Sequence, residues 1–93
     1  MVRQAMEDLA GRLSIAIDQI EVVRTEAVTW RDSSLGCPQP GRQYMQVLQD
    51  GMLIVLRAGD RSYEYHSGGS RPPFLCESRS RRTPPPSGLT RKR

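Results

Sequence analysis

Three short runs of strand-forming residues, separated by two-residue turn signals, constrain the fold of this sequence most strongly. The runs read QYMQVLQ, MLIVLRA and RSYEYH, and the pairs between them are Asp50-Gly51 and Gly59-Asp60. Asp-Gly between apolar runs is a strong hairpin signal, because a type I′ turn needs a positive φ at both central positions. The spacing therefore predicts an antiparallel meander of two hairpins.

A helix and a further strand precede this meander. The apolar residues of positions 2 to 14 recur at helical spacing and share one stripe, which predicts an amphipathic helix. They are Val2, Ala5, Met6, Leu9, Ala10 and Leu13. The β-rich run IEVVRTEAVTW follows at positions 20–30, and Arg24 and Glu26 interrupt its apolar parity. We expect a bulge or an exposed middle in that strand.

The middle run of the meander is apolar on both faces. One face would carry Met52, Ile54, Leu56 and Ala58, and the other Leu53 and Val55. A strand with one solvated face would alternate apolar and polar residues instead. We therefore expect the helix to cover one face, and the preceding loop or a partner to cover the other.

These elements predict an α+β fold, in which one N-terminal amphipathic helix packs on a small, mainly antiparallel sheet of four to five strands. Residues 67–70 (SGGS) are interpreted as a flexible connection, and residues 72–76 as a short edge segment, where proline is tolerated. Residues 1–76 form the predicted single domain. Residues 77–93 lack periodicity and are polar, which predicts a basic, proline-rich disordered tail.

The net charge of +4 divides unevenly along the chain. Residues 1–75 hold eight arginines and nine acidic residues, a net charge of −1, whereas residues 76–93 have a net charge of +5. Because the predicted domain is close to neutral, nucleic acid is expected only through the tail. No run of about 18 apolar residues is present, so no membrane span is predicted.

The segment RDSSLGCPQPG at residues 31–41 concentrates turn-forming residues between two predicted strands. Its aspartate and serines are interpreted as caps of backbone amides in an Asx or ST turn, its glycines permit positive φ, and its prolines stiffen it. We predict a rigid crossover with Trp30 packed beneath it. The predicted binding residues are Asp32, Ser33, Ser34, Leu35, Gly36, Pro38, Gln39 and Pro40.

Cys37 and Cys76 are the two cysteines, and each lies at the boundary of a predicted element. A disulfide between them would close a loop of about 40 residues and stabilise the fold by about 4 kcal/mol through loop-closure entropy. The alternative is a pair of buried free thiols, which a reducing cytosol favours. We predict the disulfide.

A metal site would need Cys37, His66 and Cys76 together with a fourth ligand such as Asp32. Structural zinc usually shows close cysteine pairs of the CxxC type, and the sequence has none. No metal and no cofactor are therefore predicted.

Ser33 or Ser34, with Asp32 and His66, supply the residue types of a hydrolase triad. Triads are recognised by geometry, and the chain has no GxSxG motif and little room for a substrate cleft. We predict that the protein is not an enzyme and takes no small-molecule substrate.

Tyr63 and Tyr65 recur at strand spacing and precede His66, which makes these three residues a possible binding face. Tyrosines at i and i+2 can equally line one face of the sheet over the core edge. Both interpretations remain open from the sequence.

The motifs DLAGRL, IEVV, TW-x-DSSLGCPQPG, QYMQVL, LIVLRAGDRSYEYH and PFLC resemble a bacterial family of small domains with no assigned activity. The resemblance covers about residues 5 to 76. Members of that family carry a proline where this chain has Arg31 and a glycine where it has Ser14. The resemblance implies an exported or lipid-anchored protein.

The N-terminal residues carry Glu7 and Asp8 where a signal peptide needs an apolar core. This favours a cytoplasmic chain, or an extracytoplasmic one if the sequence is a trimmed mature form.

The predicted function is a non-catalytic, monomeric or weakly dimeric module that binds an unidentified protein through the 31–41 loop, including inhibition of an enzyme such as a protease. The alternatives are a nucleic-acid-associated protein that acts through its basic tail, and a small thiol or metal protein that uses Cys37, His66 and Cys76.

Overall fold

The computed structural model describes residues 1–77, and residues 81–82 by their backbone. The elements are α1 (Val2–Leu13), a 3-10 helix (Ile17–Gln19), β1 (Glu21–Trp30), β2 (Gln49–Ala58), β3 (Arg61–Gly68), β4 (Arg71–Leu75) and β5 (Arg81–Arg82). One N-terminal helix packs on an antiparallel sheet, which confirms the predicted fold class. Apart from Glu77 and the backbone of residues 81–82, the predicted disordered tail (residues 77–93) lies outside this description.

Helix α1 is amphipathic, as predicted, and buries Ala5 and Leu9 completely. The chain leaves the helix at Ser14, which is left-handed with a φ of 56°. The N–H of Ile15 then donates to the carbonyl oxygen of Ala10 at 3.1 Å, the hydrogen bond that is typical of a Schellman motif. Across the described residues, no helix has both the length and the apolar character that a membrane crossing requires.

The sheet has the strand order β1-β2-β3-β4, and every pairing is antiparallel. Strand β5 also pairs with β3, where Arg61 lies opposite Arg82, past the end of β4. In β1 the register shifts between Val22 and Arg24, which confirms the predicted bulge. The side chains of residues 21–27 are exposed, so β1 forms a solvated edge of the sheet.

The hairpin predicted at Asp50-Gly51 is wrong. Both residues lie inside β2, and residues 42–48 have no regular secondary structure. A Cβ at position 51 would overlap the carbonyl oxygen of Ser67 and lie 2.5 Å from Nε1 of Trp30. Glycine is present here because the backbone of β3 and the indole approach closely, and not because the chain turns.

Two tight hairpins lie further along the chain. The predicted turn at Gly59-Asp60 is confirmed, with Ala58 opposite Arg61. The SGGS stretch, predicted to be a flexible connection, instead completes β3 and turns tightly into β4, with Gly68 opposite Arg71. The prediction was wrong because Gly68 is a buried strand residue.

The two faces of β2 are covered differently. On one face, Ile54 and Leu56 form the core with Tyr65 of β3 and with Ala5 and Leu9 of α1. On the other face, Leu53 lies opposite His66. The ring of Trp30 stacks on His66, and the carbonyl oxygen of Leu35 is hydrogen-bonded to it. The helix and the loop therefore cover opposite faces, as expected from the two-sided apolar pattern.

Candidate functional site: a pinned loop beside a basic groove

The 31–41 loop begins directly after β1 with a turn built on Asp32. Oδ1 of this residue accepts hydrogen bonds from the N–H of Ser34 at 2.9 Å and from the hydroxyl of Ser34 at 2.5 Å. These hydrogen bonds, chiefly the one from the hydroxyl, lower the pKa of Asp32 below its ordinary value. Leu35 and Gly36 then reverse the chain at φ values of 54° and 75°. The interpretation of Asp32 as a capping residue is therefore correct.

The base of the loop packs on the sheet through Leu35, which is buried. The carbonyl oxygen of Leu35 lies 2.7 Å from Nδ1 of His66, and this nitrogen is the donor because a carbonyl group only accepts. The ring of Trp30 stacks on His66 with 4.7 Å between centroids, and its Nε1–H donates to the carbonyl oxygen of Ser67 at 2.8 Å. Strand side chains therefore hold the loop from below.

A disulfide joins the loop to the end of β4, as predicted. Cys37 and Cys76 are both buried, and their Cα atoms are 5.8 Å apart. The backbone N–H of Cys76 donates to the carbonyl oxygen of Glu64 at 2.8 Å, which fixes this end of the bridge to β3. The middle of the loop is thus covalently tied to the sheet.

The tip of the loop, residues 38–41, is exposed. It is closed by a turn in which the N–H of Arg42 donates to the carbonyl oxygen of Gln39 at 3.2 Å. The N–H of Gln39 in turn donates to the hydroxyl oxygen of Tyr44 at 2.9 Å. The tip is therefore braced by the chain that leaves it.

Ser33 and Met45 clamp the two ends of the loop together. The N–H of Ser33 donates to the carbonyl oxygen of Met45, and the N–H of Met45 donates to the Ser33 hydroxyl, both at 2.9 Å. The roles of Tyr44 and Met45 do not follow from the sequence pattern, which predicts a strand for both residues. Their hydrogen bonds depend on the path of residues 42–48, which no local sequence signal reveals.

An exposed apolar segment follows the clamp. Met45 is 67% exposed and Leu48 is 75% exposed, and Val47 between them is also exposed. Large side chains at this exposure, next to one another and outside regular structure, are typical of a contact surface. The segment is continuous with the loop, so the two form one candidate surface.

A groove of about 320 Å³ separates the loop from β4. Gln39, Arg42 and Tyr44 line it on the loop side, and Arg71 and Phe74 line it on the strand side. The guanidinium carbon of Arg71 lies 3.8 Å from the centroid of the Phe74 ring, which is a cation–π contact. The groove therefore has two cationic walls.

The structure does not bring Tyr63, Tyr65 and His66 together on one exposed face. Tyr65 is fully buried in the core beneath α1, and Tyr63 packs against the edge of that core. His66 is buried under the loop on the opposite face of the sheet. The alternative interpretation, in which the tyrosines line the core, describes these residues correctly.

The thiol or metal alternative does not agree with the bonding of its residues. The sulfur atoms of Cys37 and Cys76 are joined in the disulfide. The nitrogens of His66 face the carbonyl oxygen of Leu35 and, at 2.9 Å, the carboxylate of Glu64. Within residues 1–77, no three His, Cys, Asp or Glu side chains are placed to hold a metal ion.

The family comparison covers the same part of the chain as these elements. A family described as a domain of unknown function (DUF8738) matches residues 2–76. The chain belongs to this family. The DUF8738 domain includes α1, strands β1 to β4 and both cysteines, and it confirms the resemblance to a family of small domains of unknown function. No curated protein and no solved structure matches the chain.

Proposed function

We propose that this chain is a non-catalytic protein-binding module that presents the 31–41 loop to a partner. The observation that carries the proposal is an exposed tip on a base held by three separate means. These are the Cys37–Cys76 disulfide, the stack of Trp30 on His66, and the clamp of Ser33 and Met45.

A loop that is ordered before binding loses less conformational entropy when it meets a partner. Pro38 and Pro40 fix φ at two of the four tip positions, and the backbone N–H of Gln39 is already bonded to Tyr44. The neighbouring side chains of Met45 and Leu48 add apolar area beside the tip. Rigid presentation and adjacent apolar area are what a binding loop needs, and neither requires a catalytic group.

The test is site-specific photo-cross-linking in extracts of the source organism. A photoreactive phenylalanine analogue replaces Gln39 at the tip in one variant and Asp60 in a matched control. Asp60 lies exposed in the β2–β3 turn, at the end of the sheet away from the loop. We expect one discrete adduct from position 39 and none from position 60.

A second variant distinguishes the effect of tip rigidity from the effect of overall stability. Pro38→Ala combined with Pro40→Ala loosens the tip without touching buried residues, and should weaken the adduct while thermal stability is nearly unchanged. Equal adducts from positions 39 and 60, or an adduct from position 60 alone, would refute presentation by this loop. Assaying the cross-linked partner for enzymatic activity, with and without this chain, tests the inhibitory form of the proposal.

The nucleic-acid alternative depends on residues 77–93, of which the structure describes only Glu77 and the backbone of residues 81–82. It stays a prediction of the sequence.

A further inference from the structure

We infer that the groove between the loop and β4 binds a carboxylate of an acidic peptide segment, with Arg42 and Arg71 as its two cationic contacts. The inference rests on the proposed function, since it names the chemistry of the partner that the loop would meet.

The polar groups of the groove are rich in donors. Each guanidinium of Arg42 and Arg71 carries five N–H donors and no acceptor. The Tyr44 hydroxyl already accepts the N–H of Gln39 at 2.9 Å, which leaves its own hydrogen to donate. No Asp or Glu of the described residues lines this groove. A ligand that supplies acceptors and negative charge complements it.

Arg42 and Arg71 are among the arginines that have no ion pair within residues 1–77. Four other arginines have carboxylate partners at 2.6 to 2.9 Å, in the pairs Arg3–Glu7, Arg12–Asp8, Arg24–Glu26 and Arg57–Glu21. Arg31 and Arg61 also have no ion pair within these residues, but of the four unpaired arginines only Arg42 and Arg71 line the groove. The two cations of this groove are therefore not neutralised by the domain.

Stacking orients Arg71 for recognition. Its guanidinium lies over the Phe74 ring at 3.8 Å, so one flat face is covered while the N–H groups at its edge are left to donate. Guanidinium edges match the two oxygens of a carboxylate, which they bind in bidentate fashion. Arg71 is thus held in an orientation that suits this ligand.

The lining of the groove favours a side-chain carboxylate over a free inorganic anion. Phe74, Leu75 and Cys37 are apolar residues of this lining. The methylene groups of a glutamate side chain would contact them, whereas phosphate has no apolar part. Gln39 belongs to both the groove and the exposed tip, so a peptide that contacts the tip can place a carboxylate here.

The test is an NMR titration of the full chain with a tetraglutamate peptide that is blocked at both ends. Tetraglutamine and inorganic phosphate are parallel arms. We expect the tetraglutamate to shift the backbone amide signals of Gln39, Tyr44 and Arg71, with much weaker shifts from the other two ligands. Added salt should weaken the binding, because exposed charges are screened.

Matched charge variants assign the binding to the groove. Arg42→Gln and Arg71→Gln should each raise the Kd for tetraglutamate by about fivefold, the scale of an exposed ion pair. Arg61→Gln removes the same charge from an exposed position at the far end of the sheet, and should change the Kd by less than about twofold.

Several outcomes would overturn the inference: equal binding of tetraglutamine, equal binding of phosphate, shifts confined to residues 78–93, or equal weakening by Arg61→Gln. If the peptide fails to bind while Gln39 still gives a specific cross-link, the carboxylate chemistry is wrong and loop presentation stands. If the peptide binds the groove while position 39 gives no cross-link, the proposal of loop presentation is wrong and the carboxylate chemistry of the groove stands.

Discussion

Trp30 is the residue around which the loop side of the molecule is arranged. Its indole stacks on His66, donates to the carbonyl oxygen of Ser67 and lies against positions that are glycine in the sequence. A Cβ at Gly36 would overlap the six-membered ring, and a Cβ at Gly51 would press on Nε1. The space for the indole is therefore made by the absence of side chains from two distant parts of the chain.

Gly51→Ala tests this packing directly. We expect it to lower the free energy of unfolding by about 2 to 3 kcal/mol, because the new methyl group displaces the backbone of β3 or the indole. Urea unfolding followed by tryptophan fluorescence measures the change. Gly11→Ala is the matched control, since nothing lies within 4 Å of its added Cβ, and it should stabilise α1 by about 1 kcal/mol. Equal stability of Gly51→Ala and wild type would disprove the proposed packing.

At the scale of elements, the periodic patterns of the sequence predict local structure correctly. Features that depend on contacts between residues distant in the sequence are not predicted. The 3.6-residue period of α1 and the two-sided apolar pattern of β2 are local, and both were interpreted correctly. The Asp50-Gly51 pair does not form the turn that it predicts. Gly51 is present because the backbone of β3 and the indole of Trp30 pack closely against it, and local sequence does not reveal these contacts. The groove is not predicted for the same reason, since Arg42 and Arg71 line one groove only after β4 returns beside the loop.

The link between the loop and β4 gives the second prediction. The Cys37–Cys76 bridge closes a sequence separation of 39 residues, so its reduction restores loop entropy to the unfolded chain. Reduction should lower the free energy of unfolding by about 4 kcal/mol, which urea unfolding with and without reductant will measure.

The double variant Cys37→Ser, Cys76→Ser is the control for this reduction. It should show the lower stability under both conditions, because it has no bond left to reduce. Unchanged stability of the wild-type protein in reductant would contradict the assigned role of the bridge.

At the scale of the whole molecule, one polar link joins α1 to the sheet across the core. Oδ2 of Asp8 accepts from the Tyr65 hydroxyl and from Nε of Arg12, each at 2.6 Å. Burial raises the pKa of Asp8, but the hydrogen bonds from Tyr65 and Arg12 and the charge of Arg12 outweigh it and lower that pKa below its ordinary value. Burial, together with the bond to Asp8, raises the pKa of Tyr65.

The third prediction is that this link weakens in acid. A carboxyl group whose pKa is lowered by folding stabilises the fold above its unfolded pKa, and this contribution is lost as pH falls through the folded pKa. Asp8→Asn should therefore be less stable than wild type at about pH 7, and the difference should shrink below about pH 4. Thermal unfolding across this pH range provides the measurement.

Asp60→Asn is the control for this pH dependence, because Asp60 lies exposed in the β2–β3 turn. Its difference from wild type should stay small throughout. A gap between Asp8→Asn and wild type that is the same at about pH 7 and about pH 3 would contradict the assignment.

The disulfide also gives the domain a particular covalent topology. The backbone from Cys37 to Cys76, closed by the bridge, is a ring that contains the loop tip and strands β2 to β4, whereas α1 and β1 precede it. A protease that cuts once inside this ring releases no fragment, because the two new ends remain joined through the sulfur atoms. A nick at the exposed tip therefore leaves β2 to β4 attached to the rest of the chain until the bridge is reduced.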